Sequence, residues 1–185
     1  MTRPHDTVVK AAYSRRKVEG AGRAQAAMTY YCQRPTEQGE AIERTAFDRA
    51  NDNLGSDEVR AVIQEAEGRY DYRLILSPAP GTGGEWAEAE WREWTRDVIG
   101  RLEERVGYLD WAAVHHEDSA HPHVHVWLNS DDKLTRSDLN ELRQEGDLSA
   151  QHLQERSAHL ETAFADEQPV LQRQLEQTQI GTEWS

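Results

Sequence analysis

Five of the eight histidines fall within eleven residues: His115, His116, His121, His123 and His125. His123 and His125 stand one residue apart in HVHVWLN, a β-rich run, so strand alternation puts both imidazoles on one face and Val124 and Val126 on the other. Two imidazoles on one face can share a metal ion. A third from a neighbouring strand completes a site with open positions, which a catalytic metal requires. His116 is the expected third ligand, because Tyr108–Glu117 and His123–Asn129 read as two antiparallel strands joined by the turn-forming DSAHP. His115 and His116 point to opposite faces, so only one of them can join. Asp118 is placed to hydrogen-bond a ligand imidazole from outside the metal's own ligand set.

Other chemistry fits these residues poorly. A cupin-like barrel needs a Glu soon after the second His of the pair, yet VWLNS follows His125. An amidohydrolase barrel sets its HxH on the first strand of a chain of roughly 250 residues; here the pair lies two-thirds of the way along 185. The glycines of Pro78–Gly84 are followed by Glu85 and Trp86, without the lysine that a phosphate-binding loop needs.

The elements that must position the histidines follow from periodicity. Thr7–Ala12 reads as an edge strand followed by a basic turn, and Ala21–Gln33 as an Ala-rich helix closed by Pro35. Glu43–Ala50 is expected as a short helix, and Asp57–Glu67 as another, with Ser56 as its N-cap and Gly68 as its stop. Tyr70–Ser77 alternates and then turns apolar, as a buried strand does. In Glu85–Val106 the spacing of Trp91, Trp94, Val98 and Leu102 predicts a long amphipathic helix with buried tryptophans, ended by Gly107. Thr135–Glu145 reads as a capped helix ended by Gly146, and Ser149–Gln179 as helix with a break near Pro169.

Length fits one domain with an appended segment. Net charge is −13, a balance that argues against a nucleic-acid partner. Its distribution says otherwise: Met1–Pro35 carries +5, and Thr36–Glu67, Gly68–Leu134 and Thr135–Ser185 carry −6 each. The single Cys32 excludes a disulfide framework and suits a reducing compartment. With no apolar run of membrane-spanning length and no hydrophobic leader after Met1, the expected location is cytoplasmic.

Leu109–Asn129 resembles the third motif of the relaxases, the HUH (His, hydrophobic, His) nucleases that start plasmid transfer, and is most like the MobA/VirD2-type branch. His116-Glu117-Asp118 matches the family's HxD and His121-Pro122-His123-Val124-His125 its HPHxH. Tyr72–Pro78 and the LTRSDLNELR after the hairpin are similar to neighbouring family segments, so the resemblance covers about residues 7–145. It implies an α+β fold, with an antiparallel sheet of about five strands carrying the site, helices packed on it and a helical C-terminus. It also implies a nuclease domain over 1–145 and a helical extension over 146–185.

The family places a nucleophilic tyrosine upstream, in a helix after a basic segment, and Met28-Thr29-Tyr30-Tyr31-Cys32-Gln33-Arg34-Pro35 resembles that motif. Tyr31 lies on the apolar stripe with Ala24, Ala27 and Met28 and is expected to be packed. Tyr30 lies with Arg23 and Arg34, and it is the favoured nucleophile, with Tyr31 in reserve. By the same resemblance, His116, His123 and His125 hold Mg²⁺ or Mn²⁺, Asp118 and His121 support them, and Arg15, Arg16, Lys17 and Arg34 hold DNA phosphates. The implied activity is metal-dependent, site-specific nicking and joining of single-stranded DNA at an origin of transfer through a 5′-phosphotyrosine. Relaxosome accessory proteins or a coupling protein are the implied partners. Two alternatives stand beside it. A rolling-circle replication initiator carries its tyrosine after the histidines, where this chain has none beyond Tyr108. A DNA- or metal-binding accessory protein that has lost nicking would bind single strands in a salt-sensitive way without cutting.

Overall fold

The chain alternates short strands with helices: β1 (Val8–Arg15), α1 (Gly20–Gln33), α2 (Ser56–Glu65), β2 (Tyr70–Ser77), α3 (Glu88–Val106), β3 (Asp110–His116), β4 (His123–Ser130) and α4 (Arg136–Ile180). The structure, a computed structural model, describes residues 6–16, 20–36, 38–117 and 121–180, and for 161 and 163–180 the backbone alone. These residues fall into two compact units that divide between Ala150 and Gln151. Among them no helix is long and apolar enough to cross a membrane.

The class is α+β, with one antiparallel sheet in the order β1-β2-β4-β3. It has four strands among the described residues, where about five are expected. A two-residue bridge stands at the free edge of β3 instead: Phe47 and Ala113 exchange both backbone hydrogen bonds, at 2.9 and 2.8 Å. The expected helix over Glu43–Ala50 is therefore absent. The Asp48 carboxylate accepts from the N–H groups of Ala50 and Asn51, at 2.8 and 2.7 Å, and this local turn takes the place of helical hydrogen bonds.

Cross-strand partners share a face, so register assigns the two sides of the sheet. His116 pairs with His123, Val114 with His125, Ile75 with His125, and Arg73 with Trp127. That face is half covered. Ala24 and Met28 of α1 and Val59 and Ile63 of α2 pack with Ala112, Val114 and Trp127 of β3 and β4. On β1, Val8, Lys10, Ala12 and Ser14 stay exposed. On the other face Leu74, Leu76, Val124 and Val126 are buried, as is the α3 stripe of Trp91, Trp94, Val98, Ile99 and Leu102. Each buried Trp contributes about 4–6 kcal/mol of transfer free energy before entropy is counted.

Two glycines read as helix stops act differently. α2 is capped by Gly55, whose N–H donates to Glu58 Oε2 at 2.7 Å, and Ser56 is its first helical residue; the helix ends at Glu65. Gly68 lies three residues beyond that end. A Cβ there would stand 2.2 Å from Asn129 Oδ1 and 2.7 Å from the Ser130 carbonyl carbon, so glycine lets this segment lie against β4. At Gly146 a Cβ would meet Thr7 Cγ2 at 2.5 Å, and its carbonyl accepts the Trp94 indole N–H at 2.9 Å. α4 passes through Gly146 and also through Pro169, where a break is expected; proline removes one backbone donor there without ending the helix. Its start follows expectation, since Thr135 Oγ1 accepts from Asp138 N and Asp138 Oδ2 from Thr135 N.

Candidate metal and nucleophile site

Adjacent antiparallel strands bring His116, His123 and His125 together, with one ring nitrogen from each lying within 4.8 Å of the others. His123 Nδ1 donates to the carbonyl of His121 at 2.9 Å, which leaves its Nε2 as an acceptor in the neutral ring. That Nε2 stands 3.1 Å from His125 Nε2. Two nitrogens on one cation at bond lengths of about 2.0–2.1 Å are themselves roughly 3.0–3.4 Å apart, so this spacing suits a shared ion. His116 Nε2 donates to the backbone carbonyl of Tyr31 at 2.8 Å, which turns the lone pair to Nδ1. Burial pushes His125 down to about 3, reinforced by His116, His123, Arg34 and Arg44. A neutral imidazole is the form that ligates, and this donor set could hold a metal ion. His125 Nδ1 is buried and has no hydrogen-bond partner among the described residues.

The structure brings Tyr31, not Tyr30, to these histidines. Its ring stacks on His125 with centroids 4.0 Å apart and planes at 13°, and lies edge-on to His116 at 6.5 Å. Burial raises the Tyr31 phenol above its ordinary value, and the Arg73 guanidinium opposes that. Tyr30 is 58% exposed and stands edge-on to Tyr31, with centroids 6.1 Å apart. The helical-face reading sorts the two rings correctly, since Tyr31 packs and Tyr30 does not. The packed side of α1, however, is the side that faces the histidines.

The other expected residues separate. His121 supports His123 through its carbonyl, while Asp118 and Lys17 lie outside the described residues. Arg15, exposed at the end of β1, alternates onto the face away from the histidines. Arg34 directly follows α1, close enough to the site to act on His125. His115 faces the other layer, stacked on Trp91 at 4.3 Å with Nδ1 2.7 Å from Glu88 Oε2, and this ring holds the Glu88 carboxyl below its ordinary value. Two arginines escape sequence reading. Arg44 donates to the Arg34 carbonyl at 2.6 Å and its N–H to the Cys32 carbonyl at 2.9 Å, tying down the end of α1. Arg73 is a lone cation on an apolar strand, and that was the available signal.

Arg16, expected to hold a DNA phosphate, is bonded into the framework of the fold. Its guanidinium donates to Asp71 Oδ1 at 2.9 Å and to the Ile63 carbonyl, and Asp71 Oδ1 also accepts from Asn129 Nδ2 at 2.9 Å. Removing Arg16 leaves a buried carboxylate without its counter-charge, with the Asn129 amide still donating to it. Arg16→Ala is expected to lower folding stability by about 3 kcal/mol in urea unfolding while leaving the salt slope of single-strand binding unchanged. A slope reduced by about one, with stability kept, would return Arg16 to the DNA-binding set.

His125 also sets an acid limit for the metal-free protein. Below its ordinary value of 6.5 the unfolded chain takes up a proton that the folded chain refuses until about 3. Stability contributed here therefore falls as pH drops through that window, by at most about 1.4 kcal/mol per pH unit. Urea midpoints of wild type and His125→Asn, compared near neutral pH and near about pH 4, should converge or cross as the wild type loses more. Parallel losses would contradict this assignment.

An antiparallel sheet carrying three convergent imidazoles, with a tyrosine stacked on one of them, has the make-up of a nuclease domain. The family model for relaxases, MobA/VirD2-like, nuclease domain, matches residues 21–166, and the chain belongs to that family of DNA-nicking enzymes. No curated protein matches the chain.

Proposed function

We propose that the protein is a metal-dependent relaxase that nicks and rejoins single-stranded DNA at an origin of transfer, with Tyr31 as nucleophile, and so initiates plasmid mobilisation or conjugative transfer. The observation that carries this is the Tyr31 ring stacked at 4.0 Å on His125, with its backbone carbonyl held by His116. One hydrogen bond and one stack tie the nucleophile to the ligand set. The catalytic part is assigned to residues 1–145, which hold every site residue named here.

In the reaction the bond from Tyr31 Oη to phosphorus forms as the bond from phosphorus to O3′ breaks. The proton lost by the phenol is gained, overall, by the leaving 3′ oxygen, and the product is a 5′-phosphotyrosine with a free 3′-OH. Because one phosphodiester replaces another, the reverse step rejoins the strand. A phenol is about one part in a thousand ionised at neutral pH, a deficit near 4 kcal/mol, and burial of Tyr31 adds to it. Mg²⁺ or Mn²⁺ held by His116, His123 and His125 would supply charge to a phosphodiester oxygen. Arg34, beside the site, holds a flanking phosphate. Single-stranded DNA is the substrate, relaxosome accessory or coupling proteins are the partners, and the cytoplasm is the location.

A randomised pool of single-stranded oligonucleotides, incubated with the full chain and Mn²⁺, should yield a covalent protein–DNA adduct that a chelator abolishes. Salt-sensitive binding with no adduct would overturn this reading and select the accessory-protein alternative.

A further inference from the structure

Arg73 stands mid-strand in β2, between Tyr72 and Leu74, both buried, and is itself exposed. It pairs with Trp127 on β4 and Ala12 on β1, which puts it on the histidine-bearing face. Ile75, two residues further along the same face of β2, pairs with His125, the ring on which Tyr31 stacks. The arginines around it are committed: Arg16 to Asp71 and the Ile63 carbonyl, Arg44 to the Arg34 carbonyl. Arg73 makes no hydrogen bond or ion pair among the described residues. Five N–H donors in a rigid fork thus stand exposed on the face of the sheet that carries the histidines. The sheet is open there because α1 and α2 pack over β3 and β4, leaving Lys10 and Ala12 of β1 exposed. An aliphatic residue would serve a strand at this position without immobilising a cation. An anion arriving at Tyr31 finds the fork vacant.

We propose that Arg73 is a further catalytic residue, whose guanidinium contacts a non-bridging oxygen of the phosphodiester that Tyr31 attacks. The assignment rests on the relaxase reading above. Negative charge on those oxygens grows as the Oη–phosphorus bond forms and the phosphorus–O3′ bond breaks. A donor fixed there therefore acts more on the rate than on binding.

The test uses the full chain and an oligonucleotide recovered as adduct from the randomised pool. A second version of that oligonucleotide carries a methylphosphonate at the cleaved linkage, which lacks one charged oxygen. Arg73→Ala should slow single-turnover adduct formation about 100-fold at saturating DNA and change Kd by no more than about threefold. Arg73→Lys should recover part of the rate, since it restores a charge but not a fork. On the methylphosphonate, Arg73→Ala should add no further loss. A rate within about threefold of wild type, a loss confined to Kd, or an equal loss on both linkages would each overturn the assignment and leave the relaxase reading intact. If the wild type forms no adduct at all, the reading falls and Arg73 with it. Melting curves of both variants accompany the rates, and the Lys variant keeps the comparison valid if Ala weakens the strand.

Discussion

Tyr31→Phe should abolish the covalent protein–DNA adduct, by at least about 1,000-fold, while Tyr30→Phe stays within about threefold of wild type. Both tyrosines are adjacent on α1, so simple proximity to the basic segment does not separate them. What separates them is the direction of each ring. Tyr31 lies flat on His125 and its carbonyl holds His116, whereas Tyr30 is 58% exposed and its ring stands against Tyr31. Phe in place of Tyr31 keeps the stack and the backbone hydrogen bond, and removes only the hydroxyl. The fold and the ligand set should therefore survive, and a lost adduct reports chemistry. Denaturing gels of labelled single-stranded DNA read the adduct, and mass spectrometry of the digested protein locates it. An adduct that persists in Tyr31→Phe and disappears in Tyr30→Phe would transfer the role back to Tyr30.

The second large effect concerns the histidines. Mn²⁺ at about 100 times its Kd should raise the stability of the wild type by about 2.7 kcal/mol, visible as a shift in melting temperature without DNA. His125→Ala should lose this shift, with affinity down at least about 100-fold, and should lose adduct formation with it. His115→Ala is the informative contrast. It lies next to His116 in sequence but stacks on Trp91 in the opposite layer and pairs with Glu88. That variant should melt lower and still show the full metal shift. Equal loss of the shift in both would mean that fold damage, and not ligation, explains the effect.

Much of this site is legible in local sequence because strands have a period of two. HVHVWLN places His123 and His125 on one face whatever they pack against, and an antiparallel pair expected from the flanking strands sets His116 opposite His123, the pairing observed. The tryptophan stripe of α3 and the Thr135 cap are legible for the same reason: each depends on neighbours three or four residues away. Residues 43–50 mislead because helical propensity competes there with the Asp48 turn and a long-range bridge to Ala113. Gly68 misleads because its neighbour is Asn129 on another strand.

The sequence by itself determined the family, the α+β class and the three convergent histidines, since motif and alternation are properties of short segments. It also separated the packed face of α1 from the exposed one. Only the tertiary structure decided what each face meets. α1 packs on the histidine-bearing side of the sheet, so the partly buried tyrosine is the one beside the three histidines. The same packing commits Arg16 to Asp71 and leaves Arg73 free on the open half of the sheet. Those outcomes depend on strand order and register between residues tens of positions apart, which no local period encodes.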